Sequence, residues 1–183
     1  MAYFVPLCLL VVLLFLPELV QYMIDSTTNI YQQEMLAAID NSFSYIYRGV
    51  IGGILGLLLI YLYLTRTTHS CWQGLVVAGF AQLIAVNLML LPTVFSGYQQ
   101  PVKEAAAIAH KLNIEQPATV VAWGESYPSF SVYYQAVVPN RLPQAGERVL
   151  VRVDKLAELQ AQLTTKTLIP LYRHGGVALF AVE

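Results

Sequence analysis

The sequence predicts a membrane region of three helical spans followed by a small α/β domain. Three observations carry that prediction. Hydrophobic residues make up 57% of the 183-residue chain and charged residues only 11%, where soluble domains carry about 25% charged residues. Up to residue 97 the only Lys or Arg residues are Arg48 and Arg66, which divides the chain into an embedded part, 1–97, and a water-facing part, 98–183. The apolar runs of the first part give way at Ser96–Gln99 to capped helices and short strands.

Residues 3–24, "YFVPLCLLVVLLFLPELVQYMI", match the roughly 20 apolar residues that a bilayer core asks of a helix. Only Met1 and Ala2 precede the run, so the basic start of a signal peptide is missing and the segment reads as a span from within a longer membrane protein. Next, Tyr31, Met35, Ile39, Phe43 and Tyr47 recur every fourth residue, which predicts a helix over about 28–47. Thr28 or Asn29 serves as its N-cap, and the helix is expected along the interface with its apolar stripe in lipid. Spans two and three follow at about 46–64 and 71–95. Gly49/Gly53 and Gly52/Gly56 form overlapping small-xxx-small pairs, which give span two a helix-packing face. Gln82 and Asn87, polar residues inside span three, read as interhelical hydrogen-bonding groups.

The tail opens with a helix from Pro101, Glu104 suiting its positive end and Lys111 its negative end. "ATVVAW" is a buried strand, "PSFSVYY" a helix, "RVLVRV" a strand and "DKLAELQAQL" a helix capped by Asp154. "TLIPLYR" and "VALFAV" are strands joined through Gly175 and Gly176, which supply the positive φ of a tight hairpin.

Charge bounds the partners and the topology. Net charge near zero excludes a nucleic-acid partner, which needs a clustered basic face. Cys8 and Cys71 show neither a disulfide pattern nor metal-ligand spacing, and no cofactor is evident. The connection 65–70 carries Arg66 and no acid, whereas the 25–48 loop holds Asp25, Glu34 and Asp40 against Arg48. The positive-inside rule then leaves 65–70 in the cytoplasm and the tail outside it.

Candidate binding groups fall in two places. Asp25, Asp40 and Arg48 border the outer face, where acids can hold a divalent ion or take a proton from an acceptor hydroxyl, although they equally suit the solvated side of an interfacial helix. Gly124, Glu125, Ser126 and Tyr127 lead from a strand into a helix, a geometry that offers backbone N–H groups to an anionic lipid phosphate or a sugar. Phe130, Tyr133 and Tyr134 at helical spacing are expected to glue that helix to the sheet. His110 and His174 lack ligand-spaced partners, and "GESYPS" is not a nucleophile-elbow motif.

A last span ending "LLPTVFSGYQQPVKEAAAIAHKLN", then "TVVAWGESYPSFSVYYQAVVP", resembles the end of large GT-C-fold integral-membrane glycosyltransferases of the aminoarabinose-transferase and protein O-mannosyltransferase class. Pro101, Lys103 and Ala106 match that family's "P-K-x-x-A" helix, Lys103 one residue late, and Tyr133 and Tyr134 match its aromatic pair, so the resemblance covers roughly residues 71–183. It implies a polyprenyl-phosphate-linked sugar donor, an inner or plasma membrane of bacterial type and an extracytoplasmic tail. The family's adjacent acid pair has no counterpart here, and neither Asp25 nor Asp40 sits in its motif. The chain is therefore expected to be a C-terminal part that lacks the catalytic loop, works with an upstream catalytic chain, and meets a divalent metal only with that missing part. The alternatives are a complete three-span protein with an extracytoplasmic binding domain, or an accessory subunit of a split transferase.

Overall fold

The computed structural model describes residues 4–65, 71–125, 127–164 and 166–183. It holds two helices long and apolar enough to cross a membrane, or three if a bent pair counts as one span. That pair is α1, Phe4–Leu14, and α2, Leu16–Ser26, which meet at 61°. Span one is thus broken, because Pro17 lacks the N–H that would continue the helical ladder and its ring crowds the preceding turn.

After α2 the chain turns into α3, Ile30–Asp40, where the Asn29 side chain accepts from the backbone N–H of Tyr31 and Gln32, as its N-cap position predicts. The helix expected over 28–47 stops at Asp40, and α4, Tyr45–Thr65, starts after a short turn. The expected lipid-facing stripe is corrected as well. Ile39 is buried against Gly97, Tyr31 lies under the Gly176 turn and Met35 lines a small pocket shared with the tail domain. An amphipathic stripe asks only for an apolar partner, and here the rest of the chain supplies it.

Helix α5, Cys71–Ile84, passes through a π-helical turn, Ala85–Leu90, into α6, Leu91–Glu115. Pro92 has no N–H to donate, and the turn before it opens so that the Leu91 N–H bonds to Val86 O. No break occurs at Ser96–Gln99. Pro101 sits inside the helix rather than at its start, so span three and the first tail helix are one rod, Trp72–Glu115, of 44 residues.

The apolar helices meet through Leu10, Leu13, Tyr47, Ile51, Leu58, Ala78 and Ala85. Gln82 Nε2 donates to Pro6 O at 3.1 Å, tying α5 to α1 as an interhelical bond. The glycines of α4, expected to pack within this chain or against a partner, are largely uncovered by the described residues. Only Gly52 meets another helix, its Cβ position lying 3.9 Å from Leu14 Cδ1, while Gly49, Gly53 and Gly56 face open space. Helix α1 seats on the bulky Tyr47–Ile51–Leu58 side instead, which offers more dispersion contact.

The tail forms a four-stranded sheet in the order β1-β2-β4-β3, with β1 Val120–Trp123, β2 Arg148–Arg152, β3 Leu168–His174 and β4 Val177–Val182. The β1–β2 pair is parallel and the others antiparallel. Side chains alternate across it. Val120, Leu150, Val177 and Leu179 pack under α6 and α7, Pro128–Tyr134, whereas Val121, Val149, Val151, Ala178 and Phe180 pack under α8, Leu156–Gln162. Phe130 and Tyr134 stack at 5.7 Å in the first layer, and Tyr133 reaches out to Gln99. Both sheet edges are guarded: Pro139–Arg141 pairs with Ala122 beside β1, and Pro170 interrupts the donors of β3. Arg148, buried within β2, donates from Nη2 to Leu112 O and Gln116 O and so closes the C-terminus of α6. Asp154 does not cap α8 with its side chain, which turns to Arg152 instead.

Candidate functional site

The β3–β4 hairpin fixes the domain to the apolar helices. Its tip needs two consecutive left-handed residues, and Gly175 and Gly176 take φ of 58° and 80°. A Cβ on Gly175 would lie 2.2 Å from Pro101 Cγ, and one on Gly176 2.5 Å from Tyr31 Cδ2. The tip is thus wedged between α6 and α3. Glu34 locks it, accepting from Arg173 Nε at 3.1 Å and from the Gly176 backbone N–H at 3.2 Å. Behind the hairpin, Tyr172 Oη donates to Glu104 Oε2 at 2.9 Å, so Glu104 holds a strand rather than a helix start.

Between these parts lies a small, partly open pocket of about 60 Å³, lined in part by Tyr31, Met35, Tyr98, Gln99, Tyr127 and Ser129. Helix α3 supplies Tyr31 and Met35, α6 supplies Tyr98 and Gln99, and the turn into α7 supplies Tyr127 and Ser129. Tyr127 Oη is fully buried and has no hydrogen-bond partner among the described residues. Burial, helped by the nearby Glu125 carboxylate, pushes its pKa up, so at neutral pH the group is a proton donor awaiting an acceptor.

Arg152 organises the polar side of the site. Its guanidinium lies 4.6 Å from the centre of the Tyr31 ring, pairs with both carboxylate oxygens of Asp154 at 2.6 Å, and reaches Glu125. Lys155 stands beside Asp154 and pairs with Glu158 at 2.8 Å, so the ion pairs continue past the guanidinium. The α7 turn is also short, at 7 residues, and its residue Tyr127 makes no side-chain cap.

Of the residues singled out from the sequence, Glu125 and Tyr127 come together here; Gly124 precedes them with φ of 84°, and Ser126 lies outside the described residues. Asp25, Asp40 and Arg48 do not line the cavity. Asp25 is exposed at the end of α2, Asp40 accepts from Gln21 Nε2 at 3.3 Å, and Arg48 pairs with Glu18 at 2.9 Å. Arg66 and the 66–70 connection lie outside the described residues. Sequence reasoning missed Tyr31, Tyr98, Gln99 and Arg152 as a group. The available signals were Gly97, small where α3 crosses α6, and an arginine at the end of the strand Arg148–Arg152. Among the described residues no three His, Cys, Asp or Glu side chains are placed to share a metal ion.

Comparison with protein-family models, with curated proteins and with solved structures found no match to this chain.

Proposed function

We propose that the chain is an integral-membrane module: the C-terminal part of a glycosyltransferase that takes a polyprenyl-phosphate-linked sugar, with its α/β domain outside the cytoplasm shaping the acceptor side. One observation carries this reading. The cavity around Tyr127 is walled jointly by the segment after span one, by the outward extension of span three and by the domain. The rod Trp72–Glu115 of 44 residues is about 66 Å long at helical rise, roughly twice a hydrocarbon core of about 30 Å. A helix of that length extends past a hydrocarbon core, which supports a cavity near the membrane surface, where a lipid-linked donor would meet a water-borne acceptor.

Fixed acids, cations or a metal must stabilise a departing phosphate and deprotonate an acceptor, and the reading assigns those groups to a catalytic partner. The test uses the whole chain in nanodiscs with a radiolabelled polyprenyl-phosphate sugar and a polysaccharide-fragment acceptor panel. Acceptor binding that weakens at least about tenfold in Tyr127→Phe, with no transfer by the chain alone, supports the reading. Robust turnover by the isolated chain, abolished by Asp25→Asn or Asp40→Asn, would overturn it.

A second reading, a small membrane protein whose domain binds another protein, is favoured by one feature. Val132, Val137 and Ile114 are strongly exposed, Val137 at 94%, beside a groove of about 450 Å³ between α6 and α7.

A further inference from the structure

Asn87 differs from the other carboxamide and the buried phenol that pair across the apolar helices. Gln82 finds Pro6 O on another helix and Tyr47 finds Leu13 O, but Asn87 points outward from the π-helical turn. Its Nδ2 donates to Leu83 O of its own helix at 2.9 Å, and among the described residues nothing donates to its Oδ1. In water that oxygen is satisfied by solvent. In hydrocarbon, an amide oxygen without a donor is destabilising.

The surroundings of Asn87 form a seam. Val76, Phe80, Leu83 and Leu91 are all exposed, and with Asn87 they fall at steps of four, three, four and four residues. Steps of four and three are the spacing at which one helix presents a continuous stripe to another. The π turn takes more residues per revolution, which keeps Leu91 in line after Asn87. The chain's own contacts lie on other positions, Ala78 and Ala85, which are fully buried against α1 and α4.

We propose that this seam pairs with the same seam of a second copy of the chain across a twofold axis, Asn87 against Asn87. The self-complementarity of the group argues for a copy rather than a different helix. A carboxamide carries a donor and an acceptor, so two asparagines facing each other satisfy both oxygens at once, and an isologous contact needs only one residue type. A lone asparagine in an apolar seam also fixes register and copy number, since any slip separates the amides. The inference rests on the membrane reading above, because only a lipid surround leaves Oδ1 without water.

The test is disulfide cross-linking of the full chain in native membranes, with Cys8 and Cys71 replaced by Ala and single cysteines introduced in turn. Leu83→Cys and Leu91→Cys should give dimers of two identical chains, and Leu59→Cys, exposed on α4, should not. Asn87→Leu should cut the dimer yield about fivefold while Asn87→Gln retains it. Heterologous adducts at the seam, dimers from Leu59→Cys alone, or no cross-link from a chain that stays in the carbonate-resistant membrane fraction would overturn the pairing and leave the membrane reading standing. A chain recovered in the soluble fraction overturns both. If Asn87→Leu fails to accumulate, the cysteine profile on the Asn87 background decides.

Discussion

The Tyr47 hydroxyl donates to Leu13 O at 2.9 Å, 34 residues away in sequence and fully buried. The bond is a consequence of Pro17. In an unbroken helix the N–H of residue 17 would serve Leu13 O, and proline has none. The carbonyl is left facing α4, where Tyr47 meets it, and Phe43 packs edge-on against Tyr47 at 4.9 Å to hold the ring there. The bend in span one and the tyrosine of span two are one device.

Tyr47→Phe should therefore destabilise the helical part by about 1–3 kcal/mol, the cost of leaving a buried carbonyl unpaired. In a Pro17→Ala background the restored N–H can serve Leu13 O, so the same change should cost less. A double-mutant cycle on unfolding in mixed micelles reads the coupling directly. Equal costs in both backgrounds would separate the tyrosine from the proline.

Gly175→Ala and Gly176→Ala should each loosen the domain from the helices. Both add a side chain at positive φ and drive a Cβ into Pro101 or Tyr31. Gly97→Ala should act on the same junction from below, since its Cβ would lie 2.6 Å from the Ile39 backbone Cα. A loss above about 2 kcal/mol is expected for each. Hydrogen exchange should show α3 amides losing protection before the sheet does. Uniform loss over sheet and α3 would point to global unfolding rather than a parted junction.

How much of this was legible depends on the partner each pattern requires. The sheet was readable because the short apolar runs "VVAW", "RVLVRV" and "VALFAV" need only a sheet with two covered faces, and the glycine pair needs only a tight turn. The stripe of α3 was readable as a stripe, but lipid and protein satisfy it equally, and Gly97 alone hinted that a helix crosses there. The single rod was hidden by Pro101, which suits a helix start in isolation yet here lies within a helix, its ring against the hairpin glycine. The Arg152 cluster is assembled from α3, the α7 turn and the end of β2, a long-range convergence that no local pattern encodes.

That cluster gives the junction a defined acid response. Hydrogen bonds from Arg152 hold the Asp154 carboxyl below its ordinary range, aided by Coulomb attraction and partly opposed by burial. A depressed folded pKa contributes stability that is present above the unfolded value near about 4 and is lost as pH falls through the folded value. Melting temperature should therefore drop as pH falls below about 4, and Asp154→Asn should flatten that limb. The flattening should be partial, because Arg141 lowers Glu147 in the same way. An unchanged acid limb in Asp154→Asn would remove Arg152–Asp154 from the account.

Tyr127→Phe tests whether the cavity is built for a guest. The Tyr127 hydroxyl is buried with no partner among the described residues, so deleting it should stabilise the domain by about 1 kcal/mol and raise its melting temperature by about 2–4 °C. Burial first, then Glu125, raises its folded pKa. The linked stability is complete below the ordinary tyrosine value near about 10 and is lost as pH rises above it. The phenylalanine variant should therefore keep more of its stability at alkaline pH, with Tyr31 and Tyr172 still contributing their own losses. Tyr133→Phe, which removes only a surface bond to Gln99, serves as the control and should stay within about 0.5 kcal/mol. A natural residue that weakens the fold at a fixed position is retained for what it holds, so a more stable variant with weaker acceptor binding is the expected pair of results. A destabilised Tyr127→Phe would instead mean that ordered water in the cavity of about 60 Å³ already satisfies the hydroxyl, making it a structural group.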